Sequence, residues 1–328
     1  GDLHAAGTPP SPGEIHAADS AGRPHNFPST VVRCADCTRP SVPYVAKQVK
    51  ATKAASIGYG VSENSKVCTK SVADSFERFE EQTGVEVVYT NDDLDYGLPN
   101  GIGPQVTAMK QAGVDFVSTC IDLNGMKTLA QELDRQGMDD VVLYHPNSYD
   151  ATFVGESGDL FQGDVVSVQF RPLENDPARS AMSEFKSWMD KEGSPQSELA
   201  MVGWINASLA FDGLLAAGPS FDREKVTAAT NALEGWTAGG LVSPIDWADA
   251  HTPYTEATRE PERECSAYVT VDDGKFVPFG EANKPWLCWA DDPEADFEPS
   301  PTSRKPAVRL SRLQIALVGA KVPAWKRL

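Results

Sequence analysis

At 328 residues, with 41% hydrophobic and 23% charged residues, the chain has the composition of a folded globular protein, and disorder of its body is excluded. It is long enough for one large α/β core or two smaller ones. The net charge of −18 is unevenly placed: residues 299–328 hold seven Lys/Arg and no Asp/Glu, which leaves about −25 on the preceding 298 residues. An acidic body repels phosphate, so no nucleic-acid partner is expected.

Residues 1–30, rich in Gly, Pro, Ser and His around Thr8-Pro9-Pro10-Ser11-Pro12-Gly13, read as loop, followed by an extended piece over 26–33. A helix is expected over 41–53, with Val45 and Val49 one turn apart. From residue 55 the pattern alternates. Strand 55–59 precedes a helix over 65–82, whose Cys68, Val72, Phe76 and Phe79 recur by four, four and three. Gly84 stops that helix, and 85–89 supplies the next strand. Helix 101–112, strand 114–120, a helix around Met126, Leu129, Ala130 and Leu133, and strand 141–144 complete a β-α-β-α-β-α-β series. Each helix must carry the chain back across the sheet, which forces parallel pairing with right-handed crossovers. A doubly wound α/β lobe follows, with its ligand edge at the strands' carboxyl ends: 60–65, 120–124 and 145–149.

Beyond a strand near 165–170, Asp176-Pro177 reads as a helix start, with Met182, Phe185 and Trp188 as the buried face. Helix 199–217 is apolar almost all round and is expected to be buried, although no local segment supplies enough strands to cover it. No apolar stretch is read as reaching transmembrane length. Residues 265–279 form a hairpin around Asp272-Asp273-Gly274, and a Cys265–Cys288 disulfide is expected to close it.

Six cysteines, an even number, suit disulfides in an oxidising compartment. Cys34 and Cys37 are a further candidate pair. Their Cys-x-x-Cys spacing has no second half among the five scattered histidines, so no structural metal is expected. The opening Gly1-Asp2-Leu3-His4 does not resemble a secretory signal; either a signal has been removed or the sequence begins inside a longer gene.

Catalytic patterns fail one by one. Gly58-Tyr59-Gly60 follows a strand as a dinucleotide fingerprint would, but Glu63 stands where the third glycine belongs and would face a pyrophosphate. No nucleophile elbow, phosphate loop or zinc-protease motif occurs. His145, at a strand's carboxyl end, is the one histidine placed for acid–base work, with Asp122 or Asp150 as orienting carboxylate; a loop histidine without a catalytic role is favoured. Asn91-Asp92-Asp93-Leu94-Asp95 lacks the glycine and closing glutamate of a calcium loop and reads as a solvated loop. No catalytic residue and no cofactor is expected.

Several segments, in order and spacing, resemble the type I periplasmic-binding-protein family in its Leu/Ile/Val-binding branch. They are residues 44–59, Gln105-Val106-Thr107-Ala108-Met109-Lys110-Gln111-Ala112-Gly113-Val114-Asp115-Phe116-Val117, 129–138, the Gly-x-x-x-Pro-Ile-Asp-Trp segment 240–247 and Asp273-Gly274-Lys275-Phe276-Val277-Pro278. The resemblance spans about 26–289 and implies an α/β fold of two lobes with doubly wound parallel sheets, closing on a small ligand such as an amino acid. It also implies a membrane permease and ATPase as partners, in an importer working outside the cytoplasm. On this pattern, 1–38 is a remnant of lobe 1 and the first crossing, 39–171 is lobe 2, 172–246 returns to lobe 1, 247–292 holds the third crossing and the lobe 2 hairpin, and 293–328 is a basic tail outside the family. The family's opening half-lobe has no counterpart here, so the first lobe is expected to be incomplete, with apolar surface exposed around 199–217 and 228–233. The tail has an amphipathic membrane-surface helix as its functional alternative.

Ligand contacts implied by the resemblance are Asn64 and Ser65 at a helix start, Asp122 and Asn124 after the third strand, and Asn147, Ser148 and Tyr149 after the fourth. Capping is the alternative role for the first two and for Asp122 or Asn124. Asp122 stands where the amino-acid binders often offer an aromatic hydroxyl, and a carboxylate there could pair with an ammonium. Asn147 replaces an acidic residue that many members use for the ligand's amino group, which argues against a branched-chain amino acid. Cys68 and Cys120 fall on an early helix turn and an adjacent strand end, positions that a disulfide could join. The expected function is solute capture for an ABC importer. The rivals are a ligand-sensing receptor or regulator domain of the same fold and a Rossmann-like nucleotide-using enzyme.

Overall fold

The computed structural model describes residues 24–27, 33–34, 37–146, 148–258, 263–279 and 285–290. Expectations for residues 1–23, for most of 26–33, for Asn147 and for the basic tail lie outside them.

Helix α1 (Ser41–Gln48) leads into strand β1 (Lys53–Tyr59); the helix is shorter than expected, because Lys50 takes a positive φ of 65° and turns the chain. Helix α2 (Glu63–Thr83) starts on Ser62, whose side chain accepts from the Ser65 amide, and stops on left-handed Gly84. Strand β2 (Glu86–Leu94), helix α3 (Gly103–Ala112), strand β3 (Phe116–Cys120), helix α4 (Leu123–Arg135), strand β4 (Val142–His145), the short helix α5 (Ala151–Glu156) and strand β5 (Val165–Val168) follow.

The five strands pair in parallel in the order β2-β1-β3-β4-β5. Strand order reverses between β1 and β3, so the carboxyl ends of those two strands flank the crevice where open α/β sheets take ligands. Alternate residues feed two cores. Ala54 and Phe116 join Val72, Phe76 and Phe79 of α2 and Tyr44 and Val45 of α1 on one side. Ala55, Ile57 and Val117 join Val106 and Met109 of α3 and Met126, Leu129 and Leu133 of α4 on the other. Covering both faces explains why β1 and β3 read as unbroken buried runs.

Strand β2 runs further than the sequence pattern suggests. Asn91 pairs with Ile57 and Leu94 with Tyr59 across two register shifts, so the acidic run expected as loop lengthens an edge strand. Its half-exposed side chains erase the hydrophobic alternation that would have marked it.

Helix α6 (Ala181–Glu192) begins at Ser180, which forms a reciprocal capping box with Ser183, and not at Asp176-Pro177; Arg179, with φ 60°, interposes a left-handed residue. Met182 and Phe185 are buried, but Trp188 is 42% exposed. Helix α7 (Glu198–Ala217) buries one face through Met201, Val202, Ile205, Leu209 and Gly213, while Leu199, Phe211 and Leu214 stand 58%, 56% and 38% exposed. The expectation of all-round burial therefore fails, and exposed apolar surface is found here. At 20 residues, with an 18-residue window of mean hydropathy 1.5, α7 is long and apolar enough to cross a membrane by length and composition, which corrects the reading that no stretch is. Helices α8 (Arg223–Asn231) and α9 (Trp247–Ala250) follow; Gly213 lets α7 approach α8, since a Cβ there would lie 2.1 Å from Thr230 Oγ1.

Strand β6 (Arg263–Asp272) returns to the sheet antiparallel to β5 and turns through Asp273 and Gly274, both at positive φ, into β7 (Lys275–Pro278). Strand β8 (Leu287–Ala290) pairs with the first half of β6, where Cys265 faces Cys288. Their disulfide thus ties β6 to β8 and does not close the β6–β7 hairpin. Cys34–Cys37 and Cys68–Cys120 are also bonded.

Candidate functional site

Gly58-Tyr59-Gly60 ends β1 beside the point where the strand order reverses. Both glycines answer to close packing. A Cβ on Gly58 would lie 2.1 Å from Thr69 Oγ1 and 2.9 Å from the Ser65 carbonyl, and one on Gly60 would lie 2.9 Å from Asp93 Cα. Their spacing therefore reflects how tightly α2 and β2 approach β1, with no phosphate cradle needed to explain it.

Ser65 clamps the strand ends on either side of the crevice. Its hydroxyl accepts from the Tyr59 amide at 2.5 Å and donates to the Cys120 carbonyl at 2.5 Å, and the side chain is buried. One turn on, the Cys68–Cys120 disulfide binds the same helix to the same strand. Asn64, beside it, is half-buried in the first turn of α2.

Asp122 follows β3 and caps α4, its Oδ1 accepting from the Gly125 amide at 2.8 Å. The same oxygen accepts from Tyr59 Oη at 2.8 Å. Burial, then the bond to Asp122, pushes the Tyr59 phenol well above its ordinary range, so it stays protonated and donates. Gly125 makes the contact possible, because a Cβ there would lie 2.2 Å from Tyr59 Oη. Asp122 is half-buried and has no cationic side chain as an ion-pair partner among the described residues. Asn124 is exposed on the first turn of α4, and Tyr96, 65% exposed, lies edge-on to Tyr59 at 5.2 Å.

The loop after β4 is more buried than a ligand wall needs. Ser148 directs its hydroxyl to Met126 Sδ at 2.9 Å. Tyr149, packed between Phe170 and Phe276, donates to Glu174 Oε2 at 2.6 Å and accepts from the Leu173 amide at 2.7 Å. Both side chains hold the loop in place, and Asn147 lies between Pro146 and Ser148 outside the described residues. Nearby Glu198, at the start of α7, is pushed up to about 7 by burial and then by the Asp150 carboxylate.

His145 is buried, its Nε2 2.8 Å from Asp164 Oδ2 and its Nδ1 3.1 Å from Thr119 Oγ1. Its carboxylate partner is Asp164, not Asp122 or Asp150. Asp164 also accepts from the Leu143 amide at 2.9 Å, and burial raises its pKa against the lowering pull of His145. Sequence inspection missed Asp164 because only the parallel register of β4 and β5 brings it alongside. It missed Tyr59 as a partner of Asp122 for the same reason: 63 residues separate them.

A sequence profile described as periplasmic binding protein matches residues 10–272, and the chain belongs to that family. Among solved structures, it is similar to a putative branched-chain amino acid ABC transporter from Rhodospirillum rubrum, with a TM-score of 0.58 and 16% identity over 78% of this chain and 68% of that one. It is also similar to a branched chain amino acid ABC transporter from Thermus thermophilus with bound valine, with a TM-score of 0.55 and 19% identity over 74% of this chain and 63% of that one. A fatty acid ABC transporter substrate-binding protein from Thermomonospora curvata gives a TM-score of 0.52 and 17% identity over 73% and 59%. The chain thus spans about three fifths to two thirds of these structures. No curated protein sequence matches it.

Proposed function

We propose that this chain is the solute-binding component of an ABC importer, working outside the cytoplasm and delivering an unaltered small polar solute with an ammonium group to a membrane permease. Family membership supports the class of function. Three disulfides support an oxidising compartment. One observation carries the ligand chemistry: Asp122 stands at the sheet's reversal point with one oxygen held by Tyr59 and Gly125 and no cation paired to it among the described residues. An ammonium at that carboxylate would complete a charge-assisted pair. Asn64, in the first turn of α2, and Asn124, in the first turn of α4, are proposed as polar contacts. Ser65, Ser148 and Tyr149 are proposed to act on the ligand indirectly, by fixing the backbone around it, and Asn147 to contribute from the β4 loop. In this reading residues 39–171 and the hairpin within 247–292 form one lobe, and 172–246 belongs to the other.

The structural neighbours include both a branched chain amino acid transporter and a fatty acid one, so fold alone does not choose the solute. Isothermal titration with a panel of amino acids, polyamines and fatty acids tests the choice. We expect heat from an ammonium-bearing solute, and an affinity loss of about tenfold or more in Asp122→Asn, the usual cost of removing one partner of a charged hydrogen bond. Binding of a fatty acid alone, or an Asp122→Asn variant that binds as the parent does, would overturn the ligand assignment.

A further inference from the structure

Two segments over two hundred residues apart meet beside α2. Arg33 Nε donates to the Thr252 carbonyl at 2.9 Å, the Tyr254 amide donates to the Arg33 carbonyl at 3.1 Å, and the guanidinium lies 4.9 Å from the Tyr254 ring centroid. Further along, the Thr38 amide donates to Glu256 Oε2 at 3.0 Å, with the Thr38 hydroxyl 3.3 Å from both carboxylate oxygens. Arg78, on α2, donates to Thr38 Oγ1 at 3.0 Å and forms an ion pair with Glu256. The Cys34–Cys37 bond closes the stretch between the two sets of contacts. A separate passage links the sheet to the α6–α9 region: the Arg171 amide donates to the Leu241 carbonyl at 2.7 Å and Arg171 Nε to the Gly240 carbonyl at 3.0 Å.

We propose that Glu256 pins a strap joining Arg33, Cys34, Cys37 and Thr38 with segment 252–256 to α2, so that both travel with the parallel sheet as one body and limit lobe closure. The strap stands on geometry alone; only its use as a limit on lobe closure rests on the solute-binding reading. Arg78 and Glu256 are each about one third exposed, 29% and 40%. A single pair so exposed is weak and screened by salt, so the strap depends on the amide, hydroxyl and guanidinium contacts acting together. Removing the shared carboxylate charge should release both segments.

Hydrogen exchange on the full chain without solute tests this, and so it is independent of whether a ligand is found. In Glu256→Gln the Thr38 and Tyr254 amides should exchange about tenfold faster, as expected for loss of a charge-assisted contact, while Val117 and Leu143 in the central strands keep their rates. Arg78→Ala should shift the same two amides in the same direction by less, because the Thr38–Glu256 bond survives. Salt at about 0.5 M should reproduce part of the change in the parent chain and little in Glu256→Gln. Unchanged exchange at Thr38 and Tyr254 in both variants, or acceleration that includes Val117 and Leu143 equally, would overturn the strap.

Discussion

Gly125 looks like an indifferent helical glycine, yet the Tyr59–Asp122 contact passes through the space its side chain would fill. Gly125→Ala should improve helix propensity by up to about 1 kcal/mol and cost more than that through overpacking, typically about 1–3 kcal/mol. The net expectation is a lower denaturation midpoint together with weaker solute binding, read by urea titration and calorimetry on one preparation. Glu198 gives a pH test. Its folded pKa of about 7 lies above the ordinary 4.5, so the folded form holds that proton more tightly than the unfolded chain does. Its contribution is full below the unfolded value and is lost as pH rises through about 7, an effect of up to about 3 kcal/mol. Glu198→Gln should therefore raise the melting temperature near pH 8 and change it little near pH 4. The lost helix-terminal charge opposes this by only about 0.3–1 kcal/mol. A melting difference that grows toward acid would contradict the assignment.

Helix α7 separates burial from hydrophobicity. Met201 and Phe211 are both large and apolar, but only Met201 is enclosed. Met201→Ala should cost about 2–5 kcal/mol, whereas Phe211→Lys should stay within about 0.5 kcal/mol in thermal unfolding. A large loss from Phe211→Lys would mean that this face is covered in solution. The elements most legible in the sequence were those whose periodicity matched their burial: α2, with Cys68, Val72, Phe76 and Phe79 facing one core, and α4, with Met126, Leu129 and Leu133 facing the other. Where pattern and environment part, legibility fails. The late half of β2 is polar and at an edge, the start of α6 is set by a left-handed arginine beside a serine box, and α7 carries the same apolar residues on its covered and uncovered sides.

Across the whole molecule, the β-α repetition was enough to predict a parallel sheet, because such a sheet admits few orders, and the proposed ligand edge follows the carboxyl ends of β1, β3 and β4. The side-chain contacts around that edge were not readable. Tyr59 meets Asp122, and His145 meets Asp164, through strand register, which no single stretch of sequence encodes. Positions proposed as ligand contacts differ in kind: Asp122 is half-buried and meets no cation among the described residues, while Ser65, Ser148 and Tyr149 are buried with their hydroxyls bonded to the protein itself.

Cys68 and Cys120 enclose most of the β1-to-β3 segment within one covalent ring, with a sequence separation of 52. Opening that ring alone should cost about 2–4 kcal/mol, measured as a lower urea midpoint in a Cys68→Ala, Cys120→Ala double variant that keeps the other two disulfides. The choice of expression host therefore becomes an experimental variable. Protein made in a reducing cytosol and assayed without oxidative refolding would present a loosened crevice floor, and a weak titration from such material would report on its thiols before it reported on the solute.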